Sequence, residues 1–111
     1  MNLLKETEDR FKFFGVTEKD IKFIGSYSGE YSCTWDRFKE MANVEYDNSF
    51  GEPYVADDLV IVFLSGKWME RHEYDGREEW VMRVPPVKKE NGKVLFKVVG
   101  EGGWNAIEGL N

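Results

Sequence analysis

The chain has little of what metal-dependent, exported or nucleic-acid-binding proteins use most. Its 111 residues include one cysteine, Cys33, and one histidine, His72. A single cysteine closes no internal disulfide, and one Cys with one His falls short of the roughly four nitrogen or sulfur ligands of a structural zinc site. No phosphate loop is present: Gly100, Gly102 and Gly103 are not followed by Lys and Ser or Thr. No metal or other cofactor is expected. A basic excess is also absent. The net charge of −6 removes the lysine and arginine footprint through which proteins hold phosphate, so no direct nucleic-acid binding is expected. No apolar run approaches the ~20 residues that cross a bilayer, and no secretory leader is recognisable, so the expectation is no membrane association and a cytoplasmic location. Proline is scarce, and two of the three prolines stand together as Pro85 and Pro86, where neither can donate to a strand ladder.

Aromatic residues, by contrast, are plentiful: four Trp, five Tyr and eight Phe. They supply core and interface energy in a chain whose length suits one domain. The densest pattern runs from Asp57 to Val84. Leu59 to Leu64 is a short, wholly apolar, β-rich run and reads as a central strand. Ser65-Gly66 and Asp75-Gly76 are two-residue hairpin signals, the second suited to a type I′ turn, and Lys67–Tyr74 and Glu78–Val84 are the strands between and after them. Two-residue loops at both turns would pair Phe63 with Trp68, Leu59 with His72, His72 with Glu79, and Arg71 with Trp80. One face would then carry Val60, Val62, Met69, Arg71, Trp80, Met82 and Val84 as core. The other would mix Leu59, Ile61, Phe63, Trp68 and Val81 with Glu70, His72, Tyr74 and Glu79.

Around this meander, residues 2–14 read as an amphipathic helix, with Leu3, Leu4, Phe11 and Phe14 to one side and Gly15 as its stop. Thr17 and Asp20 resemble a capping pair before a short strand at Ile21 to Ile24, and Tyr31 to Cys33 is its returning partner. Thr34 caps a helix over Trp35 to about Asn43, whose Trp35, Phe38, Met41 and Ala42 share a core-facing stripe. The stretch from Val44 to Ala56 has no regular period; it is either a lid that buries Tyr46, Phe50 and Tyr54 or a binding loop. Past the prolines, Asn91-Gly92 predicts a further hairpin over Val87 to Val99, and a glycine-rich tail follows from about residue 100. The fold class expected is α+β: one domain over residues 1–111, an antiparallel meander sheet of about five strands with one or two helices on one face.

For chemistry, Glu70, His72 and Glu79 form the best acid/base candidate, since cross-strand carboxylates favour a protonated imidazole. A surface pair explains them more simply, as a buried thiol explains Cys33 and solubility explains the acidic groups. The protein is therefore not expected to be an enzyme.

The strings DLVIV, a Trp, ERHEYDG and a second Trp (Asp58 to Trp80), with GEYSCTWDRFKEMANVEYD before them (Gly29 to Asp47), resemble small proteins encoded by phages and prophages of Gram-positive bacteria. The resemblance covers roughly residues 20–82 and carries no assigned activity. It implies an accessory protein made in the cytoplasm of an infected cell. Combined with an acidic, aromatic-rich domain, it leads to the expectation of a protein that binds a host macromolecule, such as a defence factor, because exposed aromatics anchor interfaces. The contact residues expected are Trp68, Glu70, His72, Tyr74 and Glu79 on the sheet, with Tyr46, Phe50 and Tyr54 from the loop. A homodimer through the mixed face is a further possibility. The alternative is a nucleotide-binding protein, with Arg71, Arg77 and Arg83 near the second turn.

Overall fold

A computed structural model of the protein describes residues 1–48 and 52–111. Helix α1, Leu3–Phe14, opens on Asn2, whose side chain accepts from the Lys5 amide, and stops at Gly15, a residue in the left-handed region. A short 3₁₀ turn, Glu18–Asp20, carries the expected capping box, with Thr17 and Asp20 each satisfying the other's backbone. Strands β1 (Ile21–Ser26) and β2 (Ser32–Cys33) lead into helix α2 (Trp35–Ala42), capped by Thr34. Strands β3 (Leu59–Phe63), β4 (Trp68–Tyr74) and β5 (Arg77–Arg83) complete the main body, and a short helix α3, Ile107–Leu110, lies near the C-terminus. The five strands form one antiparallel sheet in the order β2-β1-β3-β4-β5, so β2 and β5 are its edges.

The α+β meander is as expected, but the register between β3 and β4 differs by one residue. Val62 pairs with Trp68, Ile61 with Met69 and Val60 with Glu70, in place of Phe63 with Trp68 and Leu59 with His72. The cause is the turn. The Phe63 amide bonds the Lys67 carbonyl at 2.9 Å, so Leu64, Ser65 and Gly66 form a three-residue loop closed by Gly66 at φ 92°, the geometry that follows a type I turn with a left-handed residue. One added residue moves every β3 side chain to the other face. The β4–β5 register is as expected, with His72 opposite Glu79 and Arg71 opposite Trp80. Asp75 and Gly76, at φ 52° and 82°, both take the positive values a type I′ turn demands.

The corrected faces are coherent. Ile24, Ile61, Met69 and Met82 lie side by side across the sheet, with Phe63, Arg71 and Trp80 on the same side. Both long helices cover this face. Phe11 of α1 packs edge-on against Phe63 and stacks with Trp35 of α2, which in turn stacks with Phe38. Leu3, Phe11, Ile24, Phe38, Ala42, Ile61, Phe63, Met69 and Trp80 form the buried core. A bulge in β1 between Ile21 and Phe23 lets both Ile21 and Ile24 face the helices. Met41, expected on the core stripe of α2, is half exposed.

Beyond Arg83 the expected hairpin over Val87 to Val99 is not formed, and no strand lies in residues 84–111. The Phe96 and Lys97 amides instead donate to the Asn111 side-chain carbonyl at 2.9 and 3.0 Å.

Candidate functional site

Two features compete for attention: a buried ionic cluster under the helices, and the opposite face of the sheet. The cluster begins with Arg71. Alternation along β4 places it on the core side between Met69 and the strand end, opposite Trp80, and its side chain is 3% exposed. A buried guanidinium requires carboxylates. Glu6 of α1 takes one arm, with Nη1 donating to Oε2 at 2.9 Å, and Glu78 of β5 takes the other, with Nη2 donating to Oε1 at 3.0 Å. Nη2 also donates to the Tyr46 hydroxyl at 2.9 Å, while that hydroxyl donates to Glu6 Oε1. The guanidinium lies 4.9 Å from the Trp80 ring centroid and 5.8 Å from that of Tyr46, within cation–π range. Among the described residues only Arg71 Nε is a buried side-chain polar atom without a hydrogen-bond partner.

The electrostatics follow from this packing. Burial pushes the Tyr46 phenol well above its ordinary value, the hydrogen bond to Glu6 adds to the rise, and Arg71 opposes it. For Arg71 burial alone would favour the neutral form, but Glu6 and Tyr46 outweigh it and the shift is upward. Glu78 also accepts from the amides of Tyr54 and Val55, at 2.7 and 3.1 Å. The cluster therefore ties α1, β4, β5 and both described ends of the 44–56 stretch together. Along that stretch Tyr46 is drawn into the cluster, while Tyr54, which the lid reading would bury, is 69% exposed. Nearby, Thr7 accepts from Trp80 Nε1 at 2.9 Å and donates to the Leu3 carbonyl at 2.7 Å.

Of the expected contact residues, Tyr46 belongs to the cluster, and those of the sheet alternate with Arg71 and Glu78 along β4 and β5. On the face away from both helices, Phe23, Val62, Trp68 and Arg83 lie in one row, Gly25, Val60, Glu70 and Val81 in the next, and His72 opposite Glu79 beyond them. Four of the expected contact residues, Trp68, Glu70, His72 and Glu79, are thus brought to one face, and Tyr74, 76% exposed, continues their strand. Trp68 Nε1 donates to Glu70 Oε1 at 2.7 Å, and Glu70 lies 3.7 Å from Arg83. Glu79 accepts from Arg10 at 2.9 Å. Both carboxylates are therefore committed to partners other than His72, and no acid/base triad is assembled. His72, Tyr74 and Glu79 line a cleft of about 540 Å³ that also takes in Arg10, Phe13 and Arg77.

The loop residues are placed differently. Tyr46 is half-buried in the cluster, Tyr54 is 69% exposed, and Phe50 lies outside the described residues. The three arginines expected near the second turn do not converge, because Arg71 is buried in ion pairs while Arg83 sits at the far end of β5 beside Glu70. Cys33 is half-buried and its thiol is pushed up by burial, with Arg37 opposing the shift.

A second concavity of about 660 Å³ opens on the helix side, at the end of the sheet where β3 begins. It is lined by Gly25, Ser32, Cys33 and Leu59 of the sheet, by Phe38 and Met41 of α2 and by Tyr54. Among the described residues no group of three or more His, Cys, Asp and Glu could hold a metal ion.

Sequence reasoning placed Arg71 on the correct face but found neither of its partners. Glu6 and Thr7 stand three and four residues after Leu3, on the buried stripe of α1, so the helical period itself carried the signal. An arginine on an otherwise apolar strand face asks for such a carboxylate. Comparison of the chain with protein-family models, with curated proteins and with solved structures finds no match.

Proposed function

We propose that this is a small phage-encoded accessory protein, non-enzymatic, that acts in the host cytoplasm by binding a host macromolecule, with a host defence protein as the favoured target. The observation that carries the proposal is the sheet face turned away from both helices, where Trp68, Glu70, His72 and Glu79 lie together beside the exposed Tyr74. An indole already fixed by a hydrogen bond to Glu70 loses little freedom on association, and such preorganised aromatics anchor interfaces. The charged residues around it supply partner choice. Tagged wild-type protein is expected to capture a discrete partner from host lysate, and a Trp68→Ala/Tyr74→Ala variant with unchanged melting behaviour is expected to lose it. Equal capture by the folded variant would sink the sheet-face reading.

The 660 Å³ concavity favours one second reading, a small-molecule binder, because its volume falls within the ~300–1,000 Å³ of ligand pockets. Its lining holds no Lys or Arg, so an apolar ligand suits it better than a nucleotide. Native mass spectrometry of the purified protein separates the readings: a retained small molecule supports the second.

A further inference from the structure

We infer that the apolar concavity beside α2 is a docking groove for the Lys93–Val99 segment of a second copy of this chain, each copy giving its tail to the other. The tail segment is apolar and unpartnered. Val94, Phe96 and Val98 are 70%, 87% and 66% exposed, and Leu95 and Val99 are exposed with them. Among the described residues, none of the hydrogen bonds or ion pairs of residues 86–111 reaches the body, and none of these residues enters the core cluster. The radius of gyration is 17.7 Å, against about 13 Å for a compact chain of this length. Apolar surface projected this far into water is surface that association covers.

The groove offers the complement. Its walls leave Met41, Val44 and Tyr54 half or more exposed, and it is several times the size that a single water-filled crevice needs. The charged residues of its lining are Glu45 and Asp58, with no Lys or Arg among them. The segment between Pro85 and Gly100 has the opposite character, with Lys88, Lys89, Lys93 and Lys97 against Glu90 alone. An apolar segment set among lysines therefore meets an apolar groove edged by Asp58 and by Glu45, the latter paired with the N-terminal ammonium at 3.2 Å. The tail leaves β5 beside the β3–β4 turn, where Pro85 approaches Gly66, whereas the groove lies at the other end of β3. Within one chain the segment would have to cross the sheet lengthwise and sideways; across a two-fold axis, two tails and two grooves satisfy each other in a closed, self-complementary exchange. The surface used is distinct from the Trp68 face, so the inference does not rest on the function proposed above.

The test uses the full chain and its concentration-dependent mass by sedimentation equilibrium. Wild type is expected to dimerise, more weakly as salt rises. Phe96→Asp in the tail and Met41→Glu in the groove, both at exposed positions that leave the core intact, are each expected to weaken the dimer by about tenfold or more. The two variants mixed are expected to associate with each other better than either does with itself, because one intact tail then meets one intact groove. A wild-type monomer at every concentration overturns the inference. So does a dimer that neither substitution affects, which would place the contact on another face, and so does a mixture no stronger than its components.

Discussion

Arg71 is the residue on which most of the molecule's polar interior depends. It is held by Glu6 from α1, Glu78 from β5 and the Tyr46 hydroxyl, so its removal strands two buried carboxylates rather than deleting one contact. Arg71→Met is expected to cost about 3–5 kcal/mol, the range for breaking a buried pair from one side, read as a fall in the denaturant midpoint. Replacing Glu6, Arg71 and Glu78 together by apolar residues of similar size should cost far less, because no charge is then left uncompensated. A single-site loss below about 1 kcal/mol would show that the cluster is open to water and that the fold does not lean on it. Arg71→Lys is not a rescue, since one ammonium cannot reproduce a fork that meets two carboxylates on separate arms.

Elements show where sequence was readable and where it was not. Helices α1 and α2, the Gly15 stop, the Thr34 cap and the Asp75-Gly76 turn were legible because each is set by residues close in sequence, whereas Asn2, read as the first helical residue, is the cap of α1. The β3–β4 register was not legible, because Ser65-Gly66 fits a two-residue or a three-residue loop equally, and the choice rests on the burial of Ile61 and Phe63 against α1. The expected strand pairing of Val87 to Val99 failed for a related reason, since period-two patterning states a strand's readiness and not its partner. Gly25 shows the same dependence on tertiary approach. A Cβ there would sit 1.8 Å from the Tyr31 carbonyl oxygen, so β2 lies against β1 only because Gly25 has no side chain. Gly25→Ala is expected to lower the melting temperature and detach the β2 edge, at a cost of about 1–3 kcal/mol or more. Unchanged stability would mean that the β1–β2 hairpin shifts without consequence.

At the scale of the whole molecule, charge and apolar surface are distributed unevenly. Helices and ionic cluster occupy one side of the sheet; Trp68, Glu70, His72 and Glu79 occupy the other; and the lysine-bearing tail stands apart from both. Among the described residues no helix is long and apolar enough to cross a membrane, and the glutamates nearest His72 are engaged by Trp68 and Arg10. The proposed recognition surface is the sheet face that carries Trp68, Glu70 and His72. The shared face of the candidate residues of β4 and β5 was legible because the Asp75-Gly76 turn fixed their register; the groove was not, since it is assembled from residues as distant as Leu3, Ser32 and Leu59. Hydroxyl-radical footprinting of the captured complex against the free protein tests the account most directly. Protection of Trp68, His72 and Tyr74, with the half-exposed Met41 of α2 still reactive, is the result predicted. Unchanged reactivity of those three residues in the complex would contradict it.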